Sequence, residues 1–220
     1  MAARLQKRRT MRTHVLMVVL AMGLWSFSAQ AGEMFPWKGT EQKLVGKDGA
    51  LVWKVTRGEN ETLIEGTHPR WKVKHRCGHD GTPIETLKTV GSRTTKLVWV
   101  KDGVEFTWDI NKKDAPKKIS EKNLWDGDTV DARLAGMAWK SGKKVDFRIV
   151  DTDKDGGDVV PMSAEFDKDE TCAAGPCVQV KMKYTGIGAM FVAPWTYRFG
   201  KGDGAPYQAF EHENEKFAAK

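Results

Sequence analysis

Three short stretches of this sequence hold side chains that could ligate a metal or support nucleophilic chemistry. In His75-Arg76-Cys77-Gly78-His79, two imidazoles and a thiol occupy alternate positions. Alternate residues of a β-strand share one face about 6–7 Å apart. The three could therefore seat zinc or copper, or an imidazole could activate the thiolate. Asp80 is adjacent, but no third catalytic partner can be assigned, and half-exposed polar strand residues are the commoner origin of such a pattern. Thr171-Cys172-Ala173-Ala174-Gly175-Pro176-Cys177 sets two cysteines either side of a Gly-Pro turn. A tight turn can bring their Cα atoms within the roughly 4.4–6.8 Å that a disulfide spans. A Cys172–Cys177 bridge is expected, with reduced or metal-bound thiols as the alternative, and Cys77 is left as the odd cysteine. Asp151-Thr152-Asp153-Lys154-Asp155-Gly156 begins like a calcium loop, but Met162 stands where the closing carboxylate is needed, and Asp158 where an apolar residue is usual. Ordinary Asp- and Gly-rich turn chemistry accounts for it.

The elements that must position these groups are strands. Apolar and polar residues alternate with period two through Val104 to Ile110, Lys144 to Ile149 and Val178 to Tyr184. Leu51, Trp53 and Val55 continue the pattern, as do Ala193, Trp195, Tyr197 and Phe199. Turn signals separate them at Lys47-Asp48-Gly49, Lys101-Asp102-Gly103, Asp155-Gly156-Gly157 and Gly200 to Gly204. About nine or ten strands joined mostly by hairpins are predicted, hence antiparallel. The polar stretch from Asn111 to Asn123 reads as a surface connection.

One helix stands against them. Asp128-Thr129-Val130-Asp131 offers a cap followed by an acid, and Val130, Leu134 and Met137 fall at helical spacing. With Lys140 near its end and Gly142 beyond, the helix spans about twelve residues. So short a helix cannot cover nine or ten strands, so the sheet must curl. The predicted fold is mainly β: a curved antiparallel sheet, half-barrel or open barrel, with the helix on its concave face, and a β-sandwich as the alternative.

The order of elements resembles the LolA/LolB-type half-barrels and related uncharacterised exported β-proteins. The similarity runs loosely over Leu63 to Phe217: a polar strand pair around Gly81-Thr82-Pro83-Ile84-Glu85, the hairpin through Trp99 and Trp108, the Asp128–Lys140 helix and the Tyr207–His212 strand. It implies an exported protein that holds a lipid, acylated protein or other apolar molecule in its concave face, or one of no known activity, and it carries over no catalytic residues.

The N-terminus fits export. Five basic residues and no acid occupy the first twelve positions, an apolar run from Val15 to Phe27 follows, and Ala29-Gln30-Ala31 matches a cleavage site. That run is too short to span a bilayer, which takes about twenty residues. Residues 1–31 are read as a signal peptide, with Sec-type export favoured over the twin-arginine route, and 32–220 as one β-rich domain placed in the periplasm or secreted. Removing the signal leaves 31 Lys and Arg against 29 Asp and Glu, so the basic character of the full chain belongs to targeting and nucleic acid is not an expected partner.

These observations favour a non-enzymatic envelope carrier of a hydrophobic small molecule or acylated protein, without a cofactor and touching the membrane only transiently. Val130, Leu134, Met137, Trp99, Phe106, Trp108 and Trp195 are the expected ligand-lining residues. The alternatives are a metal-binding or hydrolytic envelope enzyme using His75, Cys77 and His79, and a glycan- or cell-wall-binding module using exposed tryptophans. The sequence does not fix the oligomeric state.

Overall fold

The computed structural model describes residues 41–202, 207–213 and 215–219, and the signal peptide and its cleavage site lie outside them. Two-residue turns link most of the strands: β1 (Glu41–Gly46), β2 (Gly49–Arg57), β3 (Thr62–His68), β4 (Trp71–Cys77), β5 (Pro83–Val90), β6 (Arg93–Val100) and β7 (Gly103–Thr107) form one run of hairpins. After β8 (Lys117–Ile119) and β9 (Leu124–Asp126) comes a 3-10 turn, Gly127–Thr129, and the helix α1 (Val130–Ala135). A second run follows in β10 (Lys144–Asp151), β11 (Asp158–Cys172), β12 (Gly175–Tyr184), β13 (Trp195–Gly200), β14 (Tyr207–His212) and β15 (Glu215–Ala219).

All fifteen strands belong to one sheet, whose order runs from β8 back to β1, crosses to β15, and descends to β9. Leu44 opposite Ala219 joins the two runs. Every pairing is antiparallel except β9 with β10. The sheet edges, β8 and β9, are neighbours in sequence, so the meander travels round the curl and ends on itself at an open seam.

The seam is closed by side chains and close backbone approach. Lys117 Nζ donates to the Gly156 carbonyl at 2.8 Å, from β8 to the β10–β11 turn. Gly157, at φ +63°, lies against the Phe106 ring of β7. Gly103 lets β8 pair with β7, because a Cβ there would stand 2.0 Å from the Ile119 carbonyl oxygen.

Two apolar clusters fill the inner face. The larger joins Trp53, Val55 and Ile64 to Val130, Ala132 and Leu134 of α1 and to Val180, Tyr197 and Phe199. The smaller joins Leu97, Val104, Phe106 and Ile119 to Leu124 and Val150 across the seam.

Three expectations need correction. Fifteen strands form among the described residues, not nine or ten, because three-residue strands such as β8 and β9 are too short to show a period. Asn111–Asn123 is not merely a surface connection: Ile119 pairs opposite Val104 and is buried in the smaller cluster. The helix is six residues long and not about twelve. Gly136 caps it, the Trp139 indole donates to the Leu134 carbonyl at 2.7 Å, and the chain then turns rather than winding on to Lys140. Nor is Asp128 the residue that caps the entry: the Asp126 carboxylate accepts from the Asp128 backbone N–H.

Candidate functional site: a buried acidic segment against beta4 and beta5

Strand register assembles the site. His75 of β4 stands opposite Thr86 of β5, and Lys88 is two residues further along the same face. All three are buried. From the other side of the seam, the Asp126–Asp131 segment enters with three carboxylates, Asp126, Asp128 and Asp131. Asp126 opposes Val150 in the parallel β9–β10 pair, which brings Thr152 to the same place.

The Asp126 carboxylate is saturated. One oxygen accepts from the Asp128 N–H at 2.9 Å, and the other from the hydroxyls of Thr86 at 2.7 Å and Thr129 at 3.0 Å. His75 Nδ1 lies 3.2 Å from that second oxygen and 2.8 Å from Thr86 Oγ1. Thr86 spends its proton on Asp126, so Nδ1 must carry the imidazole proton and donate. His75 Nε2 has no hydrogen-bond partner among the described residues. Burial raises the Asp126 pKa, but the His75 bond and charge, the Thr86 hydroxyl and the Asp128 N–H outweigh it, and the carboxyl stays below its ordinary range.

Lys88 makes the second ionic centre. Its ammonium lies 2.7 Å from Asp128, 2.8 Å from Asp153 and 3.3 Å from Thr152 Oγ1, which itself donates to Asp128 at 2.6 Å. Burial lowers the lysine pKa, yet the two carboxylates more than offset it. Asp128 is pushed up to about 6 by burial, against the pull of Lys88 and with a push from Asp126. Asp131 differs, because no cation faces it among the described residues and its carboxylate accepts from the Ala132 N–H at 2.8 Å. Burial, reinforced by the charges of Asp126 and Asp128, pushes it up to about 7. Its charge in turn adds to the burial that raises the Tyr197 and Tyr207 phenols.

The chemistry available to the other expected groups is narrower. Cys77 shares the inner face with His75, but its thiol donates to the Thr62 carbonyl at 3.7 Å. Burial first, then the charges of Asp80 and Glu61, push that thiol up to about 11, so the thiolate needed for cysteine–histidine chemistry is absent near neutrality. His79 falls past the end of β4, where its ring nitrogens meet Thr62 Oγ1 at 3.3 Å and the Glu59 carbonyl at 3.1 Å. Among the described residues His75, Cys77 and His79 do not converge as a ligand set, because the turn after Cys77 ends the alternation that would have aligned them. The disulfide Cys172–Cys177 is present with Cα atoms 5.9 Å apart, and Cys77 is free and buried. The calcium-like stretch is held by protein partners: Asp153 pairs with Lys88 and takes up an Asx turn on Asp151, and Lys154 pairs with Asp158.

The expected ligand-lining residues are divided between the two clusters of the inner face. Val130 and Leu134 are buried in the larger cluster, with Met137 and Trp195 packed on it. Phe106, Trp99 and Trp108 belong to the smaller one, and the Arg93 guanidinium covers Trp108 at 3.8 Å. Trp195 stacks on His212 at 4.1 Å. No tryptophan is among the exposed large apolar side chains described.

Sequence reasoning missed Thr86, Lys88 and Asp126. No sequence signal pointed to them, because β5 buries Thr86 and Lys88 and leaves Leu87 between them only half-buried, against what their residue types suggest.

No family model matches the chain, and no curated protein does. A solved structure is similar: the beta-barrel-like protein of domain of unknown function DUF1849 from Brucella abortus, 9% identical, covering 82% of this chain and 93% of that one with a TM-score of 0.54. That likeness is one of fold.

Proposed function

We propose that this chain is a non-enzymatic binding protein of the cell envelope, holding the apolar part of a lipid or acylated ligand against the inner face of its curled sheet. The observation that carries the reading is the asymmetric anchoring of α1. Its entry is held by Asp126 and Asp128 on His75, Thr86, Lys88 and Thr152. Beyond Asp131, the helix and the turn after it meet the sheet through Leu134, Met137 and Trp139, which are apolar contacts, and through the Arg133 guanidinium, which lies 4.4 Å over the Trp125 ring. Such an element can swing about its ionic end and uncover the wall of the larger cluster, while the polar groups stay satisfied. Apolar contacts are non-directional and are replaced without loss by an acyl chain. His75 Nε2, without a hydrogen-bond partner among the described residues, and the Asp131 carboxyl offer polar recognition within the same interior.

The LolA/LolB resemblance and the N-terminal export pattern support this reading, as does a barrel-like fold, whose interior is a common ligand site. Native mass spectrometry of protein purified from the envelope fraction, followed by solvent extraction, tests it. A co-purifying lipid or acyl species that also displaces an environment-sensitive apolar dye is the expected result. Protein that carries nothing and takes up no dye overturns it.

A further inference from the structure

The β12–β13 connection is the most exposed apolar segment among the described residues. Ile187 is 101% exposed, Met190 87% and Phe191 85%, with Val192 beside them. From Thr185 to Thr196 no residue carries a charge. The nearest charged residues, Lys183 and Arg198, are already paired, with Glu165 and with Glu170 and Glu211.

The tip is a built turn. The Tyr184 ring lies over Gly186, where a Cβ would stand 1.9 Å from the phenol oxygen, and Gly188 takes φ +87°. Backbone bonds close on themselves, from Ala189 N–H to Gly186 O at 3.1 Å, Phe191 N–H to Gly188 O at 2.9 Å and Val192 N–H to Ala189 O at 3.3 Å. These bonds satisfy three of the loop's backbone N–H groups and lessen the cost of taking them out of water.

We propose that the 186–194 loop docks the protein on a phospholipid bilayer, with Ile187, Met190 and Phe191 inserted at the edge of the hydrocarbon. Three observations favour a bilayer over a second protein surface. Ile187, Met190 and Phe191 stand almost fully exposed, which suits a fluid plane better than a preformed pocket. Its large exposed side chains are few, well short of the roughly 20–30 residues a side of a stable protein interface. Tyr184 and Trp195, half-buried against the larger cluster where the two strands leave the loop, are of the aromatic types that favour the headgroup level. With no free cation in the loop, docking is apolar, so neutral lipid suffices and salt has little effect. The proposal does not rest on the carrier reading, since a chain that docks but holds no ligand retains it.

Flotation of the full exported protein with phosphatidylcholine vesicles tests this, beside the triple variant Ile187→Ser/Met190→Ser/Phe191→Ser. Both proteins share the same N-terminus, and near-UV circular dichroism checks that both are folded. The variant is expected to partition at least tenfold more weakly. Met190→Cys labelled with a polarity-sensitive fluorophore localises the contact, because Cys77 is buried and Cys172 and Cys177 are bridged. Its emission should rise and shift to the blue on vesicles and be quenched by spin-labelled acyl chains. Equal flotation of the two proteins with no change in the label overturns the proposal. So does binding that requires anionic lipid and vanishes at about 0.5 M salt, where screening lengths are only a few Å. A wild-type dimer that the triple substitution dissociates, without vesicle uptake, assigns the loop to a second copy instead.

Discussion

Lys88 of β5 and Asp128 of the α1 entry lie 2.7 Å apart, the lysine buried and the carboxylate only slightly exposed, and they tie the first run of hairpins to the turn that leads into α1 across the inside of the curl. Breaking such a pair leaves an uncompensated buried charge, which typically costs about 3–5 kcal/mol. Lys88→Met should therefore lower the urea midpoint strongly, because Asp128 and Asp153 both lose their cation. Lys88→Met/Asp128→Asn should recover a substantial part. Equal destabilisation by the single and double variants would deny that the pair is coupled.

Asp131 gives the fold a pH dependence of known sign. Its carboxyl is raised to about 7 in the folded chain from an ordinary 3.8. A raised carboxyl contributes stability that is fully present below the unfolded value and is lost as pH rises through the folded one. Between about pH 4 and pH 7 the fold should weaken on this account by up to about 4 kcal/mol. Asp131→Asn removes the ionisation and keeps an oxygen for the Ala132 N–H. Its melting temperature should exceed wild type at pH 8, with the gap closing toward pH 5, and a gap independent of pH would refute the assignment.

Non-reducing peptide mapping should find Cys172 joined to Cys177 and Cys77 unreactive until the chain unfolds, since the thiol is buried and protonated. The bridge closes only the β11–β12 hairpin, and a loop so short contributes about 2 kcal/mol on the chain-entropy account. Cys172→Ser/Cys177→Ser should lower the melting temperature modestly and leave the fold intact.

The curled sheet was legible because most strands alternate in the way a one-sided sheet must. Val178, Val180 and Met182, then Val104 and Phe106, then Leu51, Trp53 and Val55 each form a buried set of alternate apolar residues. The site was not legible, for a physical reason seated in β5. By composition Leu87 should face inward and Lys88 outward, yet pairing of His75 with Thr86 turns the strand the other way. What makes a buried Lys88 tolerable is Asp128, 40 positions further along, and no local period carries that information. His75 was singled out with the wrong companions. Its neighbours in sequence, Cys77 and His79, look elsewhere, and its partners Thr86 and Asp126 arrive from other strands.

The asymmetric anchoring of α1 makes a prediction about its far end. Leu134 is fully buried in the larger cluster, and Met137 beyond it is only packed against that cluster. Leu134→Ala removes core volume and should cost about 2–5 kcal/mol, so its dye result is confounded with unfolding. Met137→Ala trims the more exposed contact and should cost less, while Asp126, Asp128 and their partners remain in place. If the segment swings about its ionic end, Met137→Ala should speed uptake of an apolar dye several-fold with little change in the urea midpoint. Lys88→Met, assayed at a urea concentration where it stays folded, frees the opposite end and should reduce the difference between open and closed forms. Dye uptake that is unchanged in Met137→Ala but tracks global stability across all three variants would show that the interior opens only by unfolding. In that case the inner face would be a packed core, and the chain's interactions would have to be made from its outer surface.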